Sequence, residues 1–250
     1  MLALLPQDVF GFLLVFARVG AALMVMPGTG ETFVPQRIRL VLALAITSVV
    51  LPGLPNRPAL PDQPTDLALL ILGETAVGLA IGLIAKLLFT ALHVAGSIIG
   101  LQTGLSFAQF YDPMQGGQNV LVGALLSMIA LVAIFAADLH LVLIQGIADS
   151  YSIVSPGVAP PFADAAEAAS RMVALSFALG MKIAAPFIVY GVLFQVGAGV
   201  LARLMPQIQI SFVAMPLQIM LGYGLMFTTL PVMIMWFLDR FAGTGVLGVR

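Results

Sequence analysis

The sequence predicts an all-α membrane protein with about six long apolar helical segments. Hydrophobic residues make up 61% of the 250 residues and charged residues only 8%, with a mean hydropathy of +1.11. Soluble domains carry charges on roughly a quarter of their residues, so this chain lacks the polar atoms that a water-facing surface needs. No alternation of apolar and polar residues indicates strands. Lipid or partner proteins are therefore expected to cover much of the surface, and helices are expected to satisfy the backbone.

The apolar segments are separated by stretches rich in proline, glycine and polar residues. They lie at about 9–26, 40–54, 67–101, 120–147, 172–200 and 210–238. A helix needs roughly 20 residues to cross the hydrocarbon, so the second segment is short and the third could add a half-helix to a span. The sequence predicts a single membrane domain over residues 1–250, with N-terminal helices over 9–101. A plug-like loop over 102–119, a central helix with an acidic loop over 120–170 and a helical hairpin over 172–240 follow.

The N-terminal residues and the charges bear on the class of protein and on its orientation in the membrane. Residues 1–8 contain no Lys or Arg, so the basic region of a signal peptide is missing and the first helix is expected to be retained. A formal net charge of −1 gives no basic field for nucleic acid. Arginines would fall in nearly equal numbers on both sides of six spans, so the positive-inside rule leaves the orientation open. Either this balance is noise or an assembly sets the position of the helices.

Signatures of an enzyme are missing. The chain has no cysteine, and its two histidines, His93 and His140, are far apart in sequence. No HExxH motif, phosphate-binding loop or nucleophile elbow is present. Asp138 and His140 are two residues apart, so on a helix they point in nearly opposite directions. They are expected to mark a polar step near the membrane edge, with a proton relay as the alternative.

Five ionisable residues interrupt the apolar segments, and such groups usually face a bundle interior or an aqueous path. They are Arg18, Glu74, Lys86, Asp138 and Lys182. Arg18 could pair with Glu74 or Asp138, either to fix the helix register or to line a substrate path. Lys86 is expected to extend from a helix end towards water.

Glycines recur at intervals of four residues in the third segment. These helix-packing candidates are Gly78, Gly82, Gly96, Gly100 and Gly104. This spacing places them on one face of a helix, where the missing side chains allow another helix to approach closely. The partner helix could belong to this chain or to another subunit.

The loop after the third segment combines bulky apolar side chains with residues that break helices. The candidate plug residues are Phe107, Phe110, Tyr111, Asp112, Pro113 and Met114. Such side chains are unfavourable in water and are expected to be buried. They could pack on this chain's own helices, or they could form an apolar stopper in a pore shared by several subunits.

The last two segments read as a helical hairpin with a polar, proline-stiffened tip. The tip residues are Arg203, Pro206, Gln207 and Gln209. Gln195 and Gln218 could form hydrogen bonds between helices without introducing a charge. The hairpin could be a simple transmembrane unit, or its tip could dock a partner.

Three blocks of the sequence resemble blocks of a known protein family and occur in the same order as in that family. Together they span about residues 9–240. The first contains Phe16-Ala-Arg-Val-Gly20, Pro27-Gly28 with Glu31, Val34-Pro-Gln-Arg37 and the run from Arg39 to Thr47. The second contains Gly100-Leu-Gln102, Phe107-Ala108 and Asp112-Pro113, and the third contains the runs Arg203–Gln209 and Ala214–Ile219. These blocks resemble the FliR/SctT family of type III export-gate membrane proteins.

The resemblance implies a non-enzymatic subunit, without cofactors, of the flagellar protein export apparatus in the inner membrane. Family members form kinked hairpins in a hetero-oligomeric helical assembly with FliP-type and FliQ-type subunits, at the flagellar basal body and projecting to the periplasmic side. Unfolded flagellar proteins cross its pore. The loop matching Phe107–Gln118 acts there as a plug. The hairpin resembles the FliQ-type hairpin, whose cytoplasmic tip lies near the FlhB-type switch protein.

Other functions remain open at this point. The near alternative is the equivalent injectisome subunit of the SctT type, which shares the plan. A small-solute secondary transporter would show two similar halves with paired broken helices, and the sequence shows no convincing internal repeat. An intramembrane enzyme would depend on Asp138 or His140.

Overall fold

The computed structural model describes residues 7–54, 61, 63–106, 121–157, 162–207 and 209–244. Seven α-helices occur in these residues, and none of them forms a β-strand. The helices are α1 (Gln7–Val25), α2 (Gln36–Val50), α3 (Pro64–Gln102), α4 (Leu121–Ala136), α5 (Leu139–Ile153), α6 (Phe162–Leu204) and α7 (Ile210–Thr244). The prediction of an all-α membrane protein is confirmed.

Four helical stretches within the described residues are long and apolar enough to cross a membrane. They are Gln36–Gly53, Pro64–Gln102, Ala163–Leu204 and Phe212–Gly243. Helices α4 and α5 reach that length only as a broken pair, and α1 is a shorter apolar helix. The 39 residues of α3 exceed one span, as its sequence predicted.

The expectation of one central helix over the fourth apolar segment is wrong. The helix is interrupted at Asp138, which adopts a left-handed backbone conformation with φ 55°. This conformation cannot continue a right-handed helix, and Asp is one of the few residues that tolerates it. The polar step expected at Asp138 is therefore the break between α4 and α5.

The acidic loop expected over residues 150–170 is shorter than predicted. Helix α5 continues to Ile153, and α6 already begins at Phe162. The first turns of α6 are rich in alanine, the best helix former. Asp164 lies in the first turn, where a negative charge interacts favourably with the helix dipole. Because of these local preferences, α6 includes residues that were predicted to belong to the acidic loop.

The chain divides into two compact units. The first comprises Met1–Leu88, Phe135–Val173 and Ala242–Arg250, and the second comprises Phe89–Ile134 and Ala174–Phe241. In the first unit, α1 buries an apolar face at helical spacing that includes Phe10, Leu14 and Ala22. The later part of α1 closely approaches α3, where an added Cβ at Gly82 would meet the Ala22 backbone.

An aromatic cluster joins α3 and α7 within the second unit. Phe89 meets Phe237 edge to face with ring centroids 5.2 Å apart, and it meets Phe241 in the same manner at 6.0 Å. Edge-to-face pairs contribute about 0.5–1.5 kcal/mol beyond the burial of area. These contacts fix α7 against the second part of α3.

Candidate functional site

A buried ion pair lies at the centre of the first unit. Arg18 on α1 donates from Nε to Oε2 of Glu74 on α3 across 2.6 Å. The two side chains are 0% and 2% exposed. Of the two partners considered for Arg18, the structure brings Glu74 to it, while Asp138 is exposed at the α4–α5 break.

Further polar groups surround both members of this pair. Arg18 Nη1 donates to Ser150 Oγ at 3.2 Å and to the Val154 carbonyl at 3.0 Å. The Tyr151 ring lies 4.1 Å from the guanidinium carbon, and Glu74 Oε1 accepts from the backbone N–H of Gly157 at 3.0 Å. Arg18 and Glu74 therefore tie α1, α3, α5 and the segment after α5 together. We refer to these groups as the Arg18 cluster.

The arrangement of the Arg18 cluster suits a structural clamp. Both charged groups are enclosed, and the hydrogen bonds hold them in fixed directions. Among the residues that the structure describes, Arg18 Nη2 has no hydrogen-bond partner, so the pair is not fully satisfied. The sequence indicated the two charges but did not indicate Ser150, Tyr151 or Gly157 as their partners. The available indication was the polar run Asp149–Ser152 at the end of α5.

The other intramembrane charges are not gathered with this pair. Lys86 is exposed on α3. In the second unit, Lys182 Nζ on α6 lies 4.5 Å from the centre of the Trp236 ring on α7. The described residues contain no group of three or more His, Asp or Glu that could hold a metal ion.

Two pairs of glycines mark close helix approaches. A methyl group added to Gly78 or Gly82 would come within 3.0 Å of the α1 backbone, at Arg18 and Ala22 respectively. In the second unit, a methyl group at Gly96 would meet the Gly123 backbone of α4 at less than 3.0 Å. Gly100 is also buried.

The expectation that Gly104 continues this helix face is wrong. Helix α3 ends at Gln102, and Gly104 has a left-handed φ of 79° in the following turn. A glycine in this conformation is a common way to end a helix, because it has no Cβ to clash. The nearest atoms to an added methyl group at Gly104 belong to the Gln218 side chain, at 3.5 Å and beyond.

The end of α3 is held by the hairpin within the second unit. Gln218 Nε2 donates to the Gln102 carbonyl at 2.7 Å, and the Tyr190 hydroxyl donates to the Gln218 carbonyl at 2.6 Å. Gly191 and Gly222 leave room for the side chains of Gln102 and Thr103. The sequence indicated Gln218 as an interhelical donor but gave no indication of Tyr190.

The remaining predicted site residues fall into two groups. The plug candidates at 107, 110, 111, 112, 113 and 114 lie outside the described residues. The tip residues are all exposed, in or beside the turn between α6 and α7: Arg203, Pro206, Gln207 and Gln209. A polar, exposed tip between two apolar helices is accessible for docking.

Comparisons with known proteins agree over nearly the whole chain. The family model described as bacterial export proteins, family 1, matches residues 9–244. The chain is 42% identical to the flagellar biosynthetic protein FliR of Caulobacter vibrioides over 229 residues, which is 91% of each chain. It is 33% identical to FliR of Escherichia coli over 217 residues, covering 86% of this chain and 82% of that protein.

A relative named as a translocation protein is less similar to this chain. The Yop proteins translocation protein T of Yersinia pestis is 26% identical over 223 residues, covering 86% of this chain and 84% of that protein. The range of the family model contains the ion pair and, apart from Gln7 and Asp8 at the start of α1, all the described helices.

Proposed function

The chain belongs to the bacterial export proteins, family 1, and from that membership we propose that it is a subunit of the flagellar type III export gate. In this role it forms part of the pore through which unfolded flagellar proteins cross the inner membrane. The observation that carries the proposal is 42% identity to a flagellar biosynthetic protein FliR over 91% of both chains. The lower identity to the Yersinia protein makes the injectisome role the second candidate.

The exposed surface of the hairpin supports a role inside an assembly. Large apolar side chains are exposed along α6 and α7. Leu193 is 68% exposed, Met220 72% and Phe227 72%. Contiguous apolar surface of this kind marks contact with lipid or with other proteins. The hairpin is therefore suited to contact FliP-type and FliQ-type subunits, which we propose as its partners.

The polar tip of the hairpin is the surface proposed for the FlhB-type switch protein. Arg203 and Gln207 are exposed there, and Arg203 is the one charged residue between Lys182 and Asp239. We place this tip on the cytoplasmic side and the rest of the assembly towards the periplasm, at the flagellar basal body. The chain is proposed to act without catalysis or a cofactor, as a passive conduit.

The loop Phe107–Gln118 is proposed as the plug of the pore. Support comes from the described residues on either side of it. Gln102 is fixed by Gln218 before the loop, and Gly123 packs against Gly96 after it. Both anchors belong to the second unit. Fixed residues on both sides of the proposed plug are what a stopper requires.

Shortening the plug loop should open an ion leak. Removing 107–114 takes away Phe107, Phe110, Tyr111 and Met114, whose apolar surface would keep a constriction dry. We expect assembled gates carrying this deletion to conduct ions while complex yield stays near that of the unaltered protein. Single-channel recording in planar bilayers measures the conductance. Glu167→Ala, which removes only an exposed ion pair on α6, is the control and should not leak. Equal conductance of the deletion and unaltered gates would exclude the plug role.

Co-purification tests the function as a whole. We would tag this chain, express it with its chromosomal neighbours and determine the mass of the detergent-extracted complex by native mass spectrometry. A heteromer of several small helical membrane subunits with one copy of this chain is the expected result. A stable monomer or homodimer that binds a small solute would instead favour a secondary transporter and contradict the export-gate proposal.

A further inference from the structure

We propose that the exposed face of α3 after Phe89 lines the water-filled path of the export gate and offers hydroxyl and imidazole groups to the polypeptide in transit. This face consists of Thr90, His93 and Ser97 on α3, with Ser127 of α4 beside His93. We refer to it as the polar face. All of these residues belong to the second unit. The inference rests on the proposed function, because it names the surface that a passing polypeptide would contact.

The polar face occupies the side of α3 that the neighbouring helices leave uncovered. Thr90, His93 and Ser97 are spaced by three and four residues, so they lie on one side of the helix. Thr90 and His93 are exposed and Ser97 is partly exposed. The other sides of this part of α3 pack against α4, α6 and α7, and Ala91 and Ala95 there are 0% exposed. Polar side chains are therefore concentrated on the open side.

His93 is the member of the polar face that lipid would tolerate least. The Ser97 hydroxyl donates to the His93 carbonyl at 2.9 Å, which satisfies this hydroxyl within the helix even in hydrocarbon. By contrast, His93 Nε2 lies 3.4 Å from Ser127 Oγ, beyond the usual hydrogen-bond range of about 2.7–3.2 Å. An imidazole bonded this weakly is unfavourable in lipid, and such groups usually face a bundle interior or an aqueous path. The open side of α3 therefore requires water or another polar group.

The exposed residues of the neighbouring helix have the opposite character. A methyl group added to Gly180 of α6 would meet the Ala91 carbonyl at 2.8 Å, so this part of α6 lies beside this part of α3. The exposed residues of α6 around Gly180 are apolar, apart from Lys182, which lies over the Trp236 ring. These apolar residues are Phe177, Ala178, Met181, Ala185 and Val189. Lipid or other subunits suit that surface and water suits the polar face, as the wall of an aqueous path requires.

An apolar residue follows the polar face along the same side of α3. Leu101 lies four residues after Ser97, one turn further along the helix, and is 62% exposed. The loop proposed as the plug begins six residues later, at Phe107. Polar groups followed by apolar ones are the arrangement of a wetted passage that leads to a dry constriction. The order of residues along α3 therefore agrees with the proposed position of the plug.

The chemistry of the polar face suits an unfolded polypeptide of any sequence. Every residue of such a chain except proline carries one backbone N–H and one C=O. Hydroxyl groups and a neutral imidazole both donate and accept hydrogen bonds, so the polar face can contact this backbone without selecting a side chain. It contains no carboxylate or amine that would hold a charged segment tightly. An apolar helix of another subunit is a poorer occupant, because it would bury His93 without a strong hydrogen-bond partner.

The polar face can be measured one position at a time, because the chain contains no cysteine. A tagged chain with one introduced cysteine would be co-expressed with its chromosomal neighbours, and the purified gate would be placed in lipid nanodiscs. A trimethylammonium methanethiosulfonate, which carries a fixed positive charge, would then modify the thiols that water reaches. Alkylation of the denatured tagged chain with a maleimide polymer counts the unmodified thiols as a shift on a gel.

Cysteines on the polar face are expected to react at least about tenfold faster than cysteines on the apolar surface of α6, because only the thiolate reacts and apolar surroundings disfavour it. The variants are Thr90→Cys, His93→Cys and Ser97→Cys. The matched controls are Phe177→Cys and Val189→Cys, at residues that are 59% and 60% exposed in the chain itself. Equal rates for the two sets in an assembled gate would overturn the inference and leave the proposed function intact. If no gate assembled around the unaltered chain, the proposed function and the inference would both be contradicted.

Photo-crosslinking tests the contact with the substrate. A chain with p-benzoylphenylalanine in place of His93 would be combined with an export substrate fused to a stably folded domain, which stalls the polypeptide in the gate. We expect a crosslink to the stalled polypeptide from this position, and none when the same group replaces Val189. A stalled polypeptide that co-purifies with the gate but is not crosslinked from position 93 would overturn the inference. A crosslink from position 93 to another subunit in its place would assign the polar face to a subunit interface, with the same consequence.

Discussion

Replacing Glu74 by Leu is expected to destabilise the isolated chain by about 3–5 kcal/mol, because it leaves the buried Arg18 guanidinium without its counter-charge. Arg18 is 0% exposed, so water cannot take the place of the carboxylate. The change also removes the acceptor of the Gly157 N–H. Since whole domains are stable by only about 5–15 kcal/mol, this loss removes a large share of the free energy of unfolding. The measurement is the thermal unfolding midpoint of the full-length chain in detergent micelles.

The chain offers a matched control for this prediction. Arg171 and Glu167 form an exposed ion pair four residues apart on α6, with an N–O distance of 3.8 Å. Exposed pairs of this type contribute roughly 0.3–0.5 kcal/mol, so Glu167→Leu should barely shift the midpoint. The double variant Arg18→Met/Glu74→Leu should recover most of the loss, because no unpaired charge stays buried. Similar midpoints for Glu74→Leu and Glu167→Leu would show that the Arg18 cluster is not a clamp.

Replacing Gly96 by Ala is expected to destabilise the chain although it adds only one methyl group. The added Cβ would meet the Gly123 backbone at less than 3.0 Å. A backbone cannot rotate away as a flexible side chain can, so α3 and α4 would have to separate. Overpacking of this kind costs about 1–3 kcal/mol. The lower stability should appear as a lower thermal midpoint and as a reduced yield of monodisperse protein.

Gly199→Ala adds the same methyl group, but it is not expected to lower the stability of the chain. Gly199 also lies within a helix, but nothing lies within 4 Å of an added methyl group. Alanine favours helix over glycine by roughly 0.5–1 kcal/mol, so this variant should be as stable as the unaltered chain or slightly more stable. If Gly96→Ala behaved like Gly199→Ala, the close approach of α3 to α4 would be contradicted.

Composition and segment lengths predicted the fold class, since apolar runs of this length in a chain with so few charges are typical of membrane helices. The hairpin of α6 and α7 followed from the polar turn near Arg203. Breaks within apolar runs were harder to predict. Asp138 interrupts a segment whose hydropathy is continuous on both sides, because its backbone conformation and not its polarity ends the helix.

The two charged residues of the candidate site could be predicted from the sequence, but the groups that surround them could not. Arg18 and Glu74 stood out because isolated charges in apolar helices require partners. The hydroxyl of Ser150 and the N–H of Gly157 lie 132 and 139 residues after Arg18 in the chain, and no local pattern connects groups so far apart. Gly104 was misplaced for the opposite reason, because its spacing from Gly100 fitted a helix that had already ended.

The separation of Arg18 and Glu74 in sequence has a consequence for how the protein is made. Glu74 follows Arg18 by 56 residues, so at about 5–20 residues per second the arginine waits roughly 3–11 s for its carboxylate to be synthesised. During this interval α1 is a short apolar helix with an unpaired charge, which lipid accommodates poorly. Helix α1 is therefore expected to enter the bilayer together with α3 and not before it, so that the order of translation and the order of insertion differ.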